Sequence, residues 1–289
     1  GHSARNLFAE LDRMKVFMEP KPFAVGLRIQ HPQAQIIAGG SDVLVQIREG
    51  KRAGVELVSI YGLDELRGVS LEEDETLRIG SLTSFSHITK NELIQKYIPV
   101  LGEAVDMVGG SQVRNIGTIG GNVCNGVTSA DSASTLFALN ARLRIQGPEG
   151  ERVVSIHDFY KGPGKVALNH ADIITAILVT KDNYEGYGGH YIKYAMRGAM
   201  DIATLGCVVV CKVKGKQVED FRLALGVAGP TPMRCPKTEE LVKGRVFDEK
   251  LLEEVGQSAI TEVNPRTSWR ASKEFRLQLV EELSKRAFA

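Results

Sequence analysis

The segment from Ser111 to Asp131, SQVRNIGTIGGNVCNGVTSAD, constrains the folding of this chain more than any other. It is rich in glycine and asparagine and poor in strong helix or strand formers, yet it runs for about twenty residues between two periodic regions. A connection between secondary elements usually needs about 2 to 6 residues. A stretch this long therefore reads as an ordered loop with a task. A second glycine pair lies upstream in IIAGGSDVLVQI, residues 36–47. There an apolar strand end meets Gly39-Gly40-Ser41-Asp42 and resumes as a segment that opens a helix, with Ser41 or Asp42 as its N-cap. Gly39-Gly40 and Gly120-Gly121 are each read as following an apolar strand-like run, and each is flanked by short polar side chains, Ser41 and Asp42 or Thr118 and Asn122. Taken alone, Gly39-Gly40 is equally well explained as an ordinary tight turn.

A diphosphate carries charge and many acceptor oxygens, and backbone N–H groups can hold it where the chain approaches without a Cβ in the way. Two such stretches can clasp one diphosphate, and a helix opening after Gly40 adds the N–H groups and dipole of its first turn. Neither stretch is a standard mononucleotide signature. GPGKV lacks the upstream glycine of a P-loop, and Lys165 is not followed by Ser or Thr. No strand, G-x-G-x-x-G and helix succeed one another, which disfavours a Rossmann fold.

At 289 residues, 43% hydrophobic and 25% charged, the chain exceeds one compact core and has a soluble globular balance, so two domains are expected. Alternating runs, VELVSI and LRIGSL, and two helical patterns, SFSHITKNELIQKY and PVLGEAVDMVG, precede the glycine-rich segment. STLFALNARLRIQG follows it, then strand candidates RVVSI and DIITAILVT with the turn-rich YKGPGK between them. The polar connector KDNYEGYGGH sets a domain boundary near Asp182. Beyond it, strands YIKYAM, ATLGCVVVCKV and FRLALGVAG and the turn GPTPMRCP lead to a helical end from Lys237.

Thirty-six basic residues against 35 acidic ones leave no net field for nucleic acid or anionic lipid. No run approaches the ~18 apolar residues of a membrane span. Cys124, Cys207, Cys211 and Cys235 lack C-x-x-C spacing, which speaks against zinc, haem or iron–sulfur ligation and for a reduced, cytoplasmic protein. On one strand face Cys207 and Cys211 stand about 13 Å apart, too far for a disulfide. Both are expected in the core, and Cys235 in a loop. His31, His87, His157, His170 and His190 show no metal spacing. The opening Gly1-His2-Ser3 reads as a tag remnant, and NLFAELDRMKVFM has neither the apolar core nor the cleavage site of a signal peptide.

AGGSDVL, RNIGTIGGNVCNGVTSADSA, FYKGPGKVALNHADIITAI and SWRASKEFRLQLV together resemble the FAD subunits of molybdenum hydroxylases, and TIGGN is specific to that group. The likeness runs from about Gln33 to the C-terminus. YAMRGAMDIATLGC and GVAGPTPMRC bring it closer to the xanthine-dehydrogenase, purine-type members than to the carbon monoxide or nicotinate dehydrogenases. The resemblance implies an α+β fold. Residues 15–181 are expected to form a two-subdomain FAD-binding fold of the PCMH/vanillyl-alcohol-oxidase type, divided near residue 62. Residues 182–289 are expected to form a C-terminal domain with a small antiparallel sheet and helices.

The resemblance further implies that Ile36, Ile37, Ala38, Gly39, Gly40, Ser41, Asp42 and Val43 lie against the FAD diphosphate and ribityl chain. Thr118, Ile119, Gly120, Gly121, Asn122 and Cys124 would form the second loop, with Val113 leading into it and Asp131 closing it by accepting hydrogen bonds from the cofactor. Ile174 would pack near the isoalloxazine, and Lys193 would lie near its polar edge, where a cation stabilises anionic reduced flavin. The molybdenum cofactor and 2Fe–2S clusters are expected only on partner subunits, with NAD or another acceptor taking the electrons. The chain alone would be an oxidoreductase subunit inactive on substrate.

Departures from the family pattern are also present. Val108 stands where some relatives carry an aromatic ring, there is no cysteine-bearing insert, and PFAVGLRIQHP fits the expected early helix poorly. Cys124 is read as a small side chain filling space rather than a redox thiol. Arg197 and Asp201 are read as a structural pair. Arg266, Trp269 and Arg270 are read either as a partner-docking patch or as packing of the terminal helices.

Overall fold

The computed structural model describes residues 34–52 and 54–289; the expectations for the amino-terminal segment, its weak early helix included, lie outside the described residues. The described chain opens with a parallel pair, β1 (Gln35–Ile37) and β2 (Leu57–Ser59), connected through the short helix α1 (Val43–Arg48). A five-stranded antiparallel sheet follows, in spatial order β3 (Val69–Leu71), β4 (Leu77–Gly80), β9 (Ile173–Val179), β5 (Arg142–Gly147) and β6 (Gly150–Ser155). Between β4 and β5 run α2 (Phe85–Lys90), α3 (Glu92–Tyr97), α4 (Pro99–Asp106), α5 (Ser111–Ile116), α6 (Ile119–Cys124) and α7 (Asp131–Ala138). Between β6 and β9 lie α8 (Ile156–Phe159) and the hairpin β7 (Tyr160–Gly162) and β8 (Lys165–Val166). The remainder is an antiparallel meander, β10 (Gly188–Tyr194), β11 (Leu205–Lys214), β12 (Gln217–Gly226) and β13 (Met233–Arg234), then α9 (Pro236–Val242), α10 (Glu249–Ala259) and α11 (Lys273–Phe288). The architecture is α+β, as expected.

The β11 strand shows how the two halves join. Leu205, Cys207 and Val209 face a core shared with α9, α10 and α11, while Val208 and Val210 face the core of the five-stranded sheet and its helices. A strand buried on both faces needs an unbroken apolar run, and LGCVVV supplies one. Arg222 on β12 fastens the same junction. Its buried guanidinium donates to Ala138 O at the end of α7 (3.4 Å) and to Asn183 O (3.3 Å), pairs with Asp220 (3.0 Å) and stacks over the Tyr187 ring (4.2 Å). A cation at a helix C-terminus also meets the negative end of the helix dipole.

Two local expectations are corrected. SFSHITKNELIQKY is not one helix, because Asn91 adopts an extended conformation and its side chain accepts the Leu93 and Ile94 N–H groups, which starts α3 afresh. Cys235 stands in the connection before α9, as expected, and is fully buried among the residues of the C-terminal core. Trp269 does not pack among the terminal helices, being 76% exposed with the Arg270 guanidinium stacked on it at 4.1 Å. Cys207 is buried and Cys211 half-buried, and Arg197 and Asp201 do pair, at 3.8 Å.

Candidate functional site

After β1 the chain turns at Gly40, whose φ of +71° suits glycine and few other residues. Gly39 is tied to a different constraint. A Cβ built on it would lie 1.9 Å from Ile116 O and 3.2 Å from Gly117 Cα, so the first stretch rests main chain to main chain on the residues leading into the second. Asp42 is the N-cap residue of α1, as expected, but its carboxylate does not cap the helix and accepts from Gln46 Nε2 at 2.5 Å instead. None of the N–H groups from Gly39 to Val43 has an acceptor among the described residues.

The second stretch is not the long loop its composition suggests. It contains α5 and α6, with Gly120 and Gly121 in the first turn of α6 and following a helix rather than a strand. Thr118 makes this helix: its Oγ1 accepts the Gly121 N–H at 3.2 Å. The N–H groups of Ile119 and Gly120 donate to Thr83 O (3.1 Å) and Ser81 O (2.8 Å) at the end of β4. A Cβ on Gly120 would meet Ser81 Cβ at 2.6 Å, so this glycine serves packing. One on Gly121 would meet only Thr118 Oγ1, and Gly121 faces outward.

Between the two stretches lies a cavity of about 570 Å³, within the range of cofactor sites. Of the expected residues, Ile36, Ala38, Gly120, Gly121, Cys124 and Ile174 line it, whereas Gly39, Gly40, Ser41, Asp42 and Val43 do not. Ile37 and Ile119 point into the core instead, and Thr118 is buried as the cap of α6. The Asn122 side chain accepts from Ser132 Oγ at 2.7 Å, which links the stretch to α7. Burial pushes the Cys124 thiol up to about 12, which fits a packing role.

Sequence reasoning missed Arg52, Ser81, Leu82 and the turn Asn169–Ile173, all of which also line the cavity. The turn is held by Asp172, whose carboxylate pairs with Arg152 at 2.7 Å and accepts the Asn169 N–H at 2.6 Å. The polar cluster Asn169-His170-Ala171-Asp172 carried a turn signal that could have marked it.

Val113, Asp131 and Lys193 lie outside this cavity, beyond the second stretch. Asp131 is buried, with Oδ1 accepting from Tyr191 Oη (2.7 Å) and Oδ2 from Lys193 Nζ (2.9 Å). Burial pushes its carboxyl up, against the pull of the Lys193 charge. Lys193 Nζ also donates to Met107 O at 2.9 Å. Met107, Val113, Ile116 and Met200 are exposed apolar side chains; Val113 sits against Gly109 and Met200 over Gly110, while the Ile116 carbonyl meets Gly39.

The first stretch walls the cavity through Ile36 and Ala38 and the second through Gly120, Gly121 and Cys124, which makes the cavity the candidate cofactor site. Residues 23–181 match the FAD binding domain in molybdopterin dehydrogenase, and residues 190–289 match the CO dehydrogenase flavoprotein C-terminal domain. The chain belongs to the FAD-binding subunits of the molybdenum hydroxylase family, and its cofactor is FAD.

It is 42% identical over 266 residues to the xanthine dehydrogenase FAD-binding subunit of Escherichia coli O157:H7, covering 92% of this chain and 91% of that one. It is 30% identical to the glyceraldehyde dehydrogenase medium chain of Sulfolobus acidocaldarius, covering 87% and 88%. Its fold superposes on carbon monoxide dehydrogenase from Hydrogenophaga pseudoflava with a TM-score of 0.84, at 28% identity and 89% of each chain. The residues present fit FAD. Ser81, in the cavity wall, has a buried hydroxyl with no partner among the described residues, and the N–H groups of Gly39 to Val43, next to the lining residue Ala38, would be available to a diphosphate. Among the described residues no His, Cys, Asp and Glu group could hold a metal ion, and no helix is long and apolar enough to cross a membrane.

Proposed function

We propose that this chain is the FAD-carrying electron-transfer subunit of a xanthine-dehydrogenase-like molybdenum hydroxylase, a cytoplasmic enzyme of purine metabolism. The observation that carries the reading is the contact of the two glycine stretches at Gly39 and Ile116-Gly117, beside a cavity that both line. Ile36, Ala38, Gly120, Gly121, Cys124 and Ile174 would face the cofactor, Gly39 to Val43 and Asn122 would flank it, and Ile37, Thr118 and Ile119 would support the two stretches from the core side, with Val113 leading into the second stretch, Asp131 closing it and Lys193 near the ring's polar edge. The FAD-binding part spans residues 15–181, divided near residue 62, and the C-terminal domain spans 182–289.

When bound, FAD supplies the redox chemistry, exchanging single electrons with iron–sulfur centres and hydride with nicotinamides. The chain's own residues orient and shield it. With FAD bound, the N–H groups of Gly39 to Val43 would offset the diphosphate charge, and Ile36, Ile174 and Cys124 would present apolar walls that exclude water. The Lys193 ammonium is held by Asp131 and Met107 O and would give the ring's polar edge a fixed cation. The molybdenum cofactor and the 2Fe–2S clusters belong to partner subunits, in a heterotrimer with this chain. Electrons enter from the iron–sulfur partner and leave to NAD or another acceptor, and the isolated chain does not turn over purine.

A purine substrate is supported by the 42% identity to a xanthine dehydrogenase subunit. The likeness to carbon monoxide dehydrogenase favours a second reading, a subunit of a molybdenum hydroxylase with another substrate. Affinity purification from the native host, with identification of co-purifying subunits and a purine oxidation assay, decides between them. Co-purification of both partners with purine turnover is expected. Partners with no purine activity would favour the second reading, and a chain that stays colourless after incubation with FAD would make it a scaffold.

A further inference from the structure

We propose that Tyr191 is a positioning residue of the flavin site, acting through Asp131; this rests on the FAD reading above. Tyr191 and Lys193 are two residues apart on β10 and so project from the same face of the strand, towards the first residue of α7. Each takes one oxygen of Asp131, at 2.7 and 2.9 Å. A carboxylate only 6% exposed keeps its charge only while both oxygens are served. Tyr191 is itself 1% exposed, and the fold makes room for its hydroxyl: a Cβ on Gly206 of β11 would stand 2.9 Å from Oη. Its main chain is pinned too, since Glu103 on α4 accepts the Tyr191 N–H at 3.2 Å and lies 3.1 Å from His190 Nδ1.

From this triad two connections lead to the cofactor stretches. Ser132, next to Asp131, donates to Asn122 on α6. Lys193 donates to Met107 O, where the chain turns towards α5. The Tyr191 hydroxyl therefore governs how far Asp131 offsets the Lys193 cation. Without it Oδ1 becomes a buried acceptor lacking a donor, a proton on Asp131 is favoured, and the ammonium acts on the ring's edge uncompensated.

The test is the midpoint potential of FAD-loaded protein, measured by spectroelectrochemistry for the wild type, Tyr191→Phe, Asp131→Asn and the double variant. Tyr191→Phe is expected to move the potential positive, by the equivalent of about a tenfold gain in affinity for reduced over oxidised FAD. Asp131→Asn should move it the same way, and the double variant should match Asp131→Asn alone. If Asp131→Asn yields no folded protein, Tyr191→Phe decides by itself, because the phenyl ring preserves the packing. FAD-loaded Tyr191→Phe with an unshifted potential, or single shifts that simply add, would overturn the inference and leave the FAD reading intact. Wild-type protein that takes up no FAD would overturn both.

Discussion

Adding a single methyl group at position 39 should separate the two halves of the cofactor site. In Gly39→Ala the new Cβ falls 1.9 Å from Ile116 O and 2.7 Å from Ile116 C, whereas real Cβ atoms essentially never come within 3.0 Å of a neighbour. Both neighbours are main chain, so no rotamer change relieves the clash, and the stretches must part by about 1.1 Å. Overpacking of this kind costs about 1–3 kcal/mol. If binding FAD requires the stretches to be together, that strain becomes roughly a 5- to 150-fold weaker affinity. Flavin fluorescence titration measures the affinity, with far-UV circular dichroism as a check on the fold. Gly188→Ala is the control, since its Cβ would meet nothing within 4 Å. Wild-type affinity in a folded Gly39→Ala protein would refute the reasoning.

Burial pushes the Cys124 thiol up to about 12 and raises those of Cys207, Cys211 and Cys235, so thiolate is scarce at pH 8 and iodoacetamide should label the protein only after unfolding; mass spectrometry of labelled native protein checks this. Burial, then the hydrogen bond with Asp220, pushes the Tyr187 phenol up to about 12, and burial raises Tyr160, Tyr184 and Tyr191 as well. Because unfolded tyrosines ionise near pH 10, their contribution is intact below about pH 10 and is lost as pH rises towards 12. Urea midpoints across that range should fall, and less steeply in Tyr187→Phe. Asn91→Ala removes the acceptor for two N–H groups of α3 and should cost about 1 kcal/mol in denaturant unfolding.

Strands β9, β11 and β12 were legible because their pattern reflects burial, which composition reports directly. Helices α5 and α6 were not. Glycine has poor helix propensity, and α6 forms because Ser81 and Thr83, some forty residues upstream, accept its first N–H groups. The same separation hides part of the site. The cavity walls at Arg52, Ser81 and Asn169–Ile173 come from segments far apart in the chain, and the Asp131 pair with Tyr191 and Lys193 spans sixty residues or more. The loop position of Cys235 was legible from the prolines around it, whereas its burial comes from packing against distant parts of the C-terminal core. The meeting of the two glycine stretches could be anticipated, since both showed a glycine pair among short polar side chains.

Backbone hydrogen exchange, followed by mass spectrometry with and without FAD, tests the central claim most directly. The N–H groups of Gly39 to Val43 have no acceptor among the described residues, so their exchange should be fast in the absence of FAD. Adding FAD should slow peptides covering Gly39–Val43 and Thr118–Asn122 together. FAD binding that slows only one of these stretches, or neither, would contradict the claim that the cofactor lies between them.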